Sequence, residues 1–482
     1  MNFKPVLHLI SFLLMLIAII MGITSLVSYL MDDPATAWRG MIWSGVITGL
    51  IAIVLWASTR TSMELSRREG IGIVVFGWIM AIAFGALPFI ICQAVDNPFD
   101  AIFESSSGFT TTGASVLADL ENHSKAILFW RACTHFLGGM GILVLVVAII
   151  PYLGVGGMQI YRAEVTGPSK DRLTPRIAST AKFLWGVYLL LNMVLIVLLR
   201  VGGMDWFDSI CHAFSTISTG GFSTRTASIA AFDSIYIETM IIIFMFLSGI
   251  SFALHFKALR GEPLCYFNDS EVRCYSGLWL ILSILIAVDL IRHDTYDITG
   301  AIRHSLFYVT SLITTTGFGT VDYDAWPASA KFLIFLLFIL GGCAGSTSGG
   351  LKQIRISLML KKMSRVIKSV LTPQAVYTVK HSGQIVHQDV IFSVALYFFV
   401  FMATAGLGSI IMSFYCDDIA TGISAAFSAV GNIGPGFSTV GPAENYASVP
   451  NGGKAVLSFL MLIGRLEFYT VYVVFLANFW RK

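Results

Sequence analysis

The chain has 482 residues, of which 56% are hydrophobic and only 12% are charged. Soluble domains carry about 25% charged residues, and a single soluble core of this size could not bury so much apolar surface. The composition therefore argues against a soluble enzyme or a disordered protein and indicates that the bilayer is the solvent. The formal net charge of +3 is too small to indicate a nucleic-acid partner.

Apolar runs along the chain predict ten membrane spans. The first run has no small-residue cleavage pattern and exceeds the about 7–15 apolar residues of a secretory signal, so we expect a retained helix. Each run can cross a hydrocarbon core of about 30 Å. The predicted spans are residues 5–31, 40–58, 71–95, 124–152, 180–203, 235–257, 275–293, 328–370, 389–414 and 453–480. The prediction is an all-α integral membrane protein with ten spanning helices.

Basic residues concentrate in alternate connections, which include Arg60, Arg162, Lys257 and Lys352. The positive-inside rule places these connections in the cytoplasm, so ten spans put both termini there too. The opposite connections are richer in acidic residues. These can enrich cations at an outer mouth, although ordinary solvated loops explain them as well. The linkers leave no room for a soluble nucleotide-binding domain, so any such control has to come from another polypeptide.

Four outward connections share one pattern: a half-apolar segment too short to span, a cluster of Thr, Ser and Gly, and a polar return. Four such clusters on one face indicate internal repeats. The clusters, called the glycine loops below, are residues 110–114, 218–222, 314–318 and 431–435. An ungapped alignment makes Gly113, Gly221, Gly317 and Gly434 equivalent. In the fourth loop an alternative register uses Gly436, because residues 436–439 are similar to residues 221–224.

The glycine loops predict a path for cations. A helix that enters the bilayer and returns is tolerated only where its backbone lines a water-filled path. Glycine adopts positive φ without steric cost, so these loops can turn carbonyls toward one axis, as potassium-channel filters do. The negative C-terminal ends of the preceding half-helices favour a cation there. The expected ion-binding filter residues are Thr111, Thr112, Gly113, Thr219, Gly220, Gly221, Thr315, Thr316, Gly317, Asn432, Ile433 and Gly434.

The predicted repeat unit is a helix, a pore loop and a helix, and four units predict pseudo-fourfold symmetry around one pore. The expected division is two extra N-terminal helices in residues 1–60, then repeats in residues 61–160, 161–260, 261–371 and 372–482.

Residues 341–350 interrupt the second helix of the third repeat near mid-membrane. They form either a mobile glycine kink or a flexible intramembrane gate. A Walker A loop is rejected, because Leu351 precedes Lys352 and no Ser or Thr follows. The expected gate residues are Gly345, Ser346, Thr347, Ser348, Gly349, Gly350 and Arg465.

Arg465 lies deep in the last span, where an arginine is costly. Glu467 is only two residues away and points to another helix face. We expect Arg465 to face the aqueous path, meet residues 341–350 and repel cations in the closed state. A structural ion pair with another helix is the alternative. For Glu104 and His212, a satisfied structural role is the expectation.

The alternative function classes are a coupled secondary transporter and an intramembrane serine hydrolase. A Na⁺- or H⁺-coupled secondary transporter can use broken helices, but such folds usually have inverted repeats around one midplane site, whereas these repeats are parallel. An intramembrane serine hydrolase requires a general base beside its serine, and the sequence has no GxSxG motif. We therefore expect a transporter and not an enzyme.

The chain resembles the Trk/Ktr/HKT superfamily of potassium transporters, and within it the TrkH-type membrane subunits. The matching stretches are residues 66–70, 86–89, 109–114, 156–164, 220–224, 341–347, 432–436 and 464–467. The resemblance favours Gly434 as the fourth filter glycine. Thr219, Thr316, Ser348 and Gly431 depart from the commoner family residues.

The resemblance implies K⁺ uptake across a bacterial inner membrane, with K⁺ as the transported ion and no organic cofactor. It implies a homodimer of single-chain pores. It further implies a cytosolic TrkA-type partner, a ring of nucleotide-binding RCK domains, and gating by residues 341–350 and Arg465.

Overall fold

The computed structural model describes residues 2–59, 66–141, 177–371, 378–382 and 384–480. Several sequence predictions lie outside these residues: the second half of the span 124–152, the stretch 156–164, and the basic residues Arg60, Arg162, Lys170, Arg172, Arg176, Arg481 and Lys482.

The described chain is mostly helical, which confirms the expected all-α class. Its first ten helices are α1 (Phe3–Leu30), α2 (Ala35–Ser58), α3 (Arg67–Gly85), α4 (Leu87–Ile91), α5 (Pro98–Phe109), α6 (Lys125–Gly139), α7 (Ile177–Val201), α8 (Trp206–Ile217), α9 (Ile235–Ser248) and α10 (Phe252–Leu259). The others are α11 (Cys265–Asn268), α12 (Ser270–Arg292), α13 (Ile298–Ile313), α14 (Ala328–Leu337), α15 (Gln353–Leu371), α16 (Gln388–Met412), α17 (Ile419–Gly431), α18 (Asn451–Leu466), α19 (Phe468–Val474) and α20 (Ala477–Trp480). A small antiparallel hairpin joins β1 (Lys380–His381) to β2 (Gln384–Ile385), with Lys380 opposite Ile385.

Six of the described helical segments are long and apolar enough to cross a membrane, and two bent pairs raise the number to eight. Their outer faces are apolar, as α16 shows: Phe392 is 72% exposed and Phe399 is 68% exposed. Polar side chains are buried instead, including Ser105, Ser106 and Ser107 of α5. Apolar residues outside and polar residues inside indicate a surface that faces lipid.

The predicted span 235–257 is not one straight helix, because α9 and α10 meet at 100°. The break contains Gly249 and Ser251, and sharp kinks commonly occur at such residues. Its freed backbone groups are paired by residues 341–350. The N–H of Cys343 donates to the Gly249 carbonyl at 2.8 Å, and the N–H of Phe252 donates to the Gly345 carbonyl at 3.0 Å.

The predicted span 453–480 is also broken, because α18 and α19 meet at 115°. Glu467 occupies the break with φ of 58°, a left-handed conformation. Its carboxylate forms an ion pair with Arg355 of α15 at 2.7 Å. The stretch 328–370 consists of α14 and α15 with residues 341–350 between them, as the glycine-rich pattern predicts.

A buried ion pair joins the segments that follow the first two glycine loops. Glu104 of α5 is fully buried, and it accepts from Arg131 Nε of α6 at 2.7 Å. Arg131 also donates to the carbonyl of Ser223 at 3.0 Å and lies 4.0 Å from the ring centre of Phe222. The Glu104 carboxylate further accepts the N–H of Val116 at 3.0 Å. Glu104 thus has the satisfied structural role that the sequence predicts.

We predict that Arg131→Met lowers the free energy of unfolding by about 3–5 kcal/mol, because it leaves a buried carboxylate without its cation. Adding Glu104→Gln restores part of that loss. Unfolding in detergent mixed with SDS measures the effect, and Arg292→Met, at an exposed arginine, is the control. An Arg131→Met effect no larger than the control contradicts the prediction.

Candidate ion-conduction site

The four short helices that lead into the glycine loops begin alike. Their N-caps are Asn97, Asp205, Asp297 and Asp418, and each cap's side chain accepts a backbone N–H of the first turn at 2.6–3.0 Å. Such caps satisfy donors that an α-helix leaves unpaired. These caps are not among the predicted site residues, although an Asn or Asp precedes each half-apolar segment.

The four helices also end alike. Thr111, Thr219, Thr315 and Asn432 all have φ between 54° and 57°. Each following residue donates its N–H to the carbonyl five positions earlier, at 2.7–3.0 Å. The carbonyls belong to Ser107, Ser215, Ser311 and Ser428. A left-handed residue with this hydrogen bond is the Schellman arrangement that ends helices. Four different sequences therefore make the same helix end.

These helix ends distinguish the two possible registers of the fourth loop. Gly434 has φ of 107° and follows the left-handed Asn432, as the other three glycines follow their left-handed residues. The N–H of Gly436 instead donates to the Val440 carbonyl in the polar return. A serine lies six positions before each of the four glycines, whereas Val430 lies six before Gly436. That signal was present in the sequence and was missed.

The glycine loops contact one another in cyclic order. A Cβ atom placed on Gly113 would lie less than 3.0 Å from the Gly220 carbonyl oxygen, and one on Gly221 would approach the Thr316 carbonyl oxygen as closely. The same holds for Gly317 against Ile433, and for Gly434 against Thr112. The fourth contact returns to the first loop, so the structure brings all four predicted filter loops into one closed ring. The positive φ and the close approach both require glycine.

The ring is lined with buried polar groups. The hydroxyls of Thr110 and Thr112 are 2.8 Å apart, and those of Thr314 and Thr316 are 2.7 Å apart. Thr111 Oγ1 and Asn432 Oδ1 are buried without a hydrogen-bond partner among the described residues. Buried oxygens of this kind are suited to binding a dehydrated cation.

Residues 341–350 lie directly against the ring. The N–H of Gly349 donates to Thr315 Oγ1 at 2.6 Å, and Thr347 Oγ1 donates to the carbonyl of Ile217, the last residue of α8, at 2.9 Å. A Cβ on Gly349 would lie less than 3.0 Å from the Gly431 carbonyl oxygen. The segment therefore contacts the ends of the short helices α8, α13 and α17.

Arg465 meets this segment, as the sequence predicts. Its Nη1 donates to the Thr347 carbonyl at 2.8 Å, while its Nη2 donates to the carbonyls of Gly138 and Gly139 at 2.5 and 3.0 Å. The neighbouring Glu467 pairs with Arg355. A cationic side chain thus bridges the 341–350 segment and the end of α6.

His212 is buried in α8 and has a structural role. Its Nδ1 lies 2.8 Å from the Asp208 carbonyl, and its Nε2 lies 2.9 Å from Ser223 Oγ. Asp208 itself accepts from Arg225 at 2.7 Å. These contacts attach the polar return of the second loop to its own helix.

We predict that Gly221→Ala strongly destabilises the protein, because the new methyl group meets the Thr316 carbonyl and positive φ disfavours a side chain. The expected loss is about 2–4 kcal/mol. Gly277→Ala is the matched control, since this helical glycine has no atom within 4 Å of an added Cβ. Thermal unfolding in detergent measures both, and equal midpoints would contradict the ring geometry.

Known proteins are similar to this chain in sequence and in fold. The TrkH family of cation transport proteins matches residues 39–482. The Trk system potassium uptake protein TrkH of Salmonella typhimurium is 40% identical over 493 residues, covering 100% of both chains. TrkG of Escherichia coli is 35% identical, covering 89% of this chain and 88% of that protein.

The crystal structure of the potassium transporter TrkH from Vibrio parahaemolyticus has the same fold. It matches with a TM-score of 0.90 and 36% identity, and the match covers 100% of both chains. The resemblance drawn from the sequence motifs is confirmed. This chain belongs to the TrkH family of cation transport proteins, which are transporters and not enzymes.

Proposed function

We propose that this chain takes up K⁺ across a bacterial inner membrane as the membrane subunit of a Trk system, with the glycine loops as its selectivity filter. The cyclic contact of the four loops is the observation that carries the proposal. The names of the similar proteins, which are potassium uptake proteins of Trk systems, support K⁺ as the transported ion.

The filter works by replacing the hydration shell of K⁺ with backbone carbonyl and hydroxyl oxygens. The candidate ligands are the twelve residues that the sequence predicts, centred on Thr112, Gly220, Thr316 and Ile433, whose carbonyls meet the neighbouring glycines. The C-terminal ends of α5, α8, α13 and α17 converge on these loops and add negative potential. A membrane potential of 100 mV supplies about 2.3 kcal/mol per ion on entry.

The proposed architecture has ten spans, four pore repeats around one axis and two extra N-terminal helices. The repeats occupy residues 61–160, 161–260, 261–371 and 372–482, after the extra helices in residues 1–60. Matching caps and helix ends in all four repeats support this division. Both termini are then cytoplasmic.

Residues 345–350 and Arg465 form the proposed gate. The segment contacts the ring from the side of Arg465, and the guanidinium is held at its Thr347 carbonyl. A cation that leaves the filter on this side meets a positive charge and a backbone segment. Opening requires the segment to move away from Thr315 and Arg465.

The proposed assembly is a homodimer in the membrane with a cytosolic TrkA-type regulatory subunit that binds nucleotides. The names of the similar proteins assign them to Trk systems. Exposed Lys362 and Lys368 on α15 make the proposed cytoplasmic face basic, which suits docking of such a subunit.

We predict that the purified chain in K⁺-loaded liposomes takes up ⁸⁶Rb⁺, and that external K⁺ competes while Na⁺ and Li⁺ do not. Gly113→Ser loses this discrimination, because its side chain meets the Gly220 carbonyl. Gly277→Ala is the control with unchanged selectivity. Equal competition by Na⁺ contradicts K⁺ selectivity, and uptake that follows an imposed H⁺ or Na⁺ gradient indicates a coupled transporter instead.

We predict that Arg465→Gln increases ⁸⁶Rb⁺ uptake several-fold without changing the order of competing ions. The substitution removes the charge that a cation meets below the ring, while the filter loops stay intact. Arg200→Gln, at the outer end of α7, is the matched control. Unaltered flux in Arg465→Gln counts against the gating role.

A further inference from the structure

Glu271 is a buried carboxylate that joins the 341–350 region to the start of α15. It lies in the first turn of α12 and is 6% exposed. Its Oε1 accepts the N–H of Ala344 at 2.7 Å and the N–H of Ile354 at 2.9 Å. One oxygen atom therefore closes residues 344–354 into a loop, although Glu271 itself lies about 70 residues earlier, outside the glycine loops.

Both donors depend on this oxygen. Ile354 lies in the first turn of α15, where an α-helix has no carbonyl of its own to pair the N–H groups. A carboxylate is the favoured group at a helix N-terminus, because the helix dipole is positive there. Ala344 lies in the segment itself, which has no regular structure to supply an acceptor. Removing the Glu271 oxygen leaves two backbone donors unpaired in a buried site.

The closed loop is also stabilised from within and from the fourth repeat. Lys352 is buried, and its Nζ donates to the Ser348 carbonyl. Arg355 pairs with Glu467 at the break between α18 and α19. Glu271 ties the loop to α12, where Cys274 Sγ also lies 3.9 Å from Gln353 Oε1.

Glu271 is held in place by its own helix start. Asp269 caps α12 and accepts the N–H of Glu271 at 2.8 Å and that of Val272 at 3.0 Å. The next side chain, Ser270 Oγ, lies 3.1 Å from His381 Nδ1 of β1. The start of α12 thus connects the β-hairpin with the loop that Glu271 closes.

We propose that Glu271 is a positioning residue that latches the 341–350 segment in its closed position. The inference rests on the proposed function, in which this segment is the gate. Glu271 holds the segment because one of its oxygen atoms accepts hydrogen bonds from two N–H groups. Movement at the start of α12 withdraws that oxygen from both N–H groups together.

The test compares two substitutions that separate the length of the side chain from its charge. Glu271→Asp keeps the charge but is one methylene shorter, so it cannot reach both donors; Glu271→Gln keeps the length and one carbonyl oxygen. We expect Glu271→Asp to raise ⁸⁶Rb⁺ uptake by the reconstituted chain about fivefold or more, and Glu271→Gln by less than about twofold, since an unpaired buried donor is costly. Glu262→Ala, at an exposed acid of the preceding connection, is the control.

A second measurement reports on the segment without using flux. Cys343 is fully buried at the Gly249 break, and its labelling by a small thiol reagent is followed by mass spectrometry of its peptide. We expect Glu271→Asp to accelerate labelling of Cys343 in parallel with uptake. If this variant does not fold, Ile354→Pro is used instead. Proline has no backbone N–H, so it removes the donor at the start of α15, and it is tolerated in a first helical turn. The same increases in uptake and in labelling are expected.

The results distinguish the latch from the gate. Wild-type uptake and labelling in Glu271→Asp, together with raised uptake when residues 345–350 are shortened, overturn the latch and leave the gate standing. A larger effect of Glu271→Gln than of Glu271→Asp also overturns it, because charge and not reach then matters. If shortening the segment changes nothing, the gating proposal fails and the latch fails with it.

Discussion

Backbone groups that lose their helical partners inside an apolar protein need new partners. Neither lipid nor an apolar core can form hydrogen bonds with them, and each unpaired group costs free energy. This chain breaks its helices repeatedly, and the broken ends pair with one another. The carbonyl of Gly249 and the N–H of Phe252, freed between α9 and α10, bond to Cys343 and Gly345. The N–H of Gly349 bonds to Thr315 in the third glycine loop. The breaks therefore build one connected site.

The ring adds a packing constraint to this hydrogen-bond constraint. Each of the four glycines lies close to a carbonyl of the next loop, that of the residue just before the next loop's glycine. No side chain fits between them. Protein interiors at this density do not deform continuously, so the four loops hold each other at fixed separations. The ion pair of Glu104 and Arg131 connects the segments that follow the first two loops. A fixed ring suits selection among ions, because selection depends on the number and spacing of the oxygens.

The segment below the ring is held differently. Its hydrogen bonds include those that its own groups donate to Thr315 Oγ1, the Ile217 carbonyl and Glu271. Its Thr347 carbonyl accepts another from Arg465. Each such bond has a small net free energy where water can replace the protein partner, but breaking it in a buried site is costly. In the proposed function, the tightly packed ring selects the ion and the hydrogen-bonded segment gates its passage.

The sequence by itself determined the membrane class, the family and the four glycine loops, because apolar length and positive-φ glycines are local requirements. It also predicted that Arg465 meets residues 341–350, and that Glu104 and His212 are structural. Only the tertiary structure showed the bends at Gly249 and Glu467, since both runs are apolar enough to be read as straight spans. The cyclic order of the loops and the reach of Glu271 to Ala344 and Ile354 likewise depend on distant residues. No local pattern contains such contacts, because folding brings their partners together from different repeats.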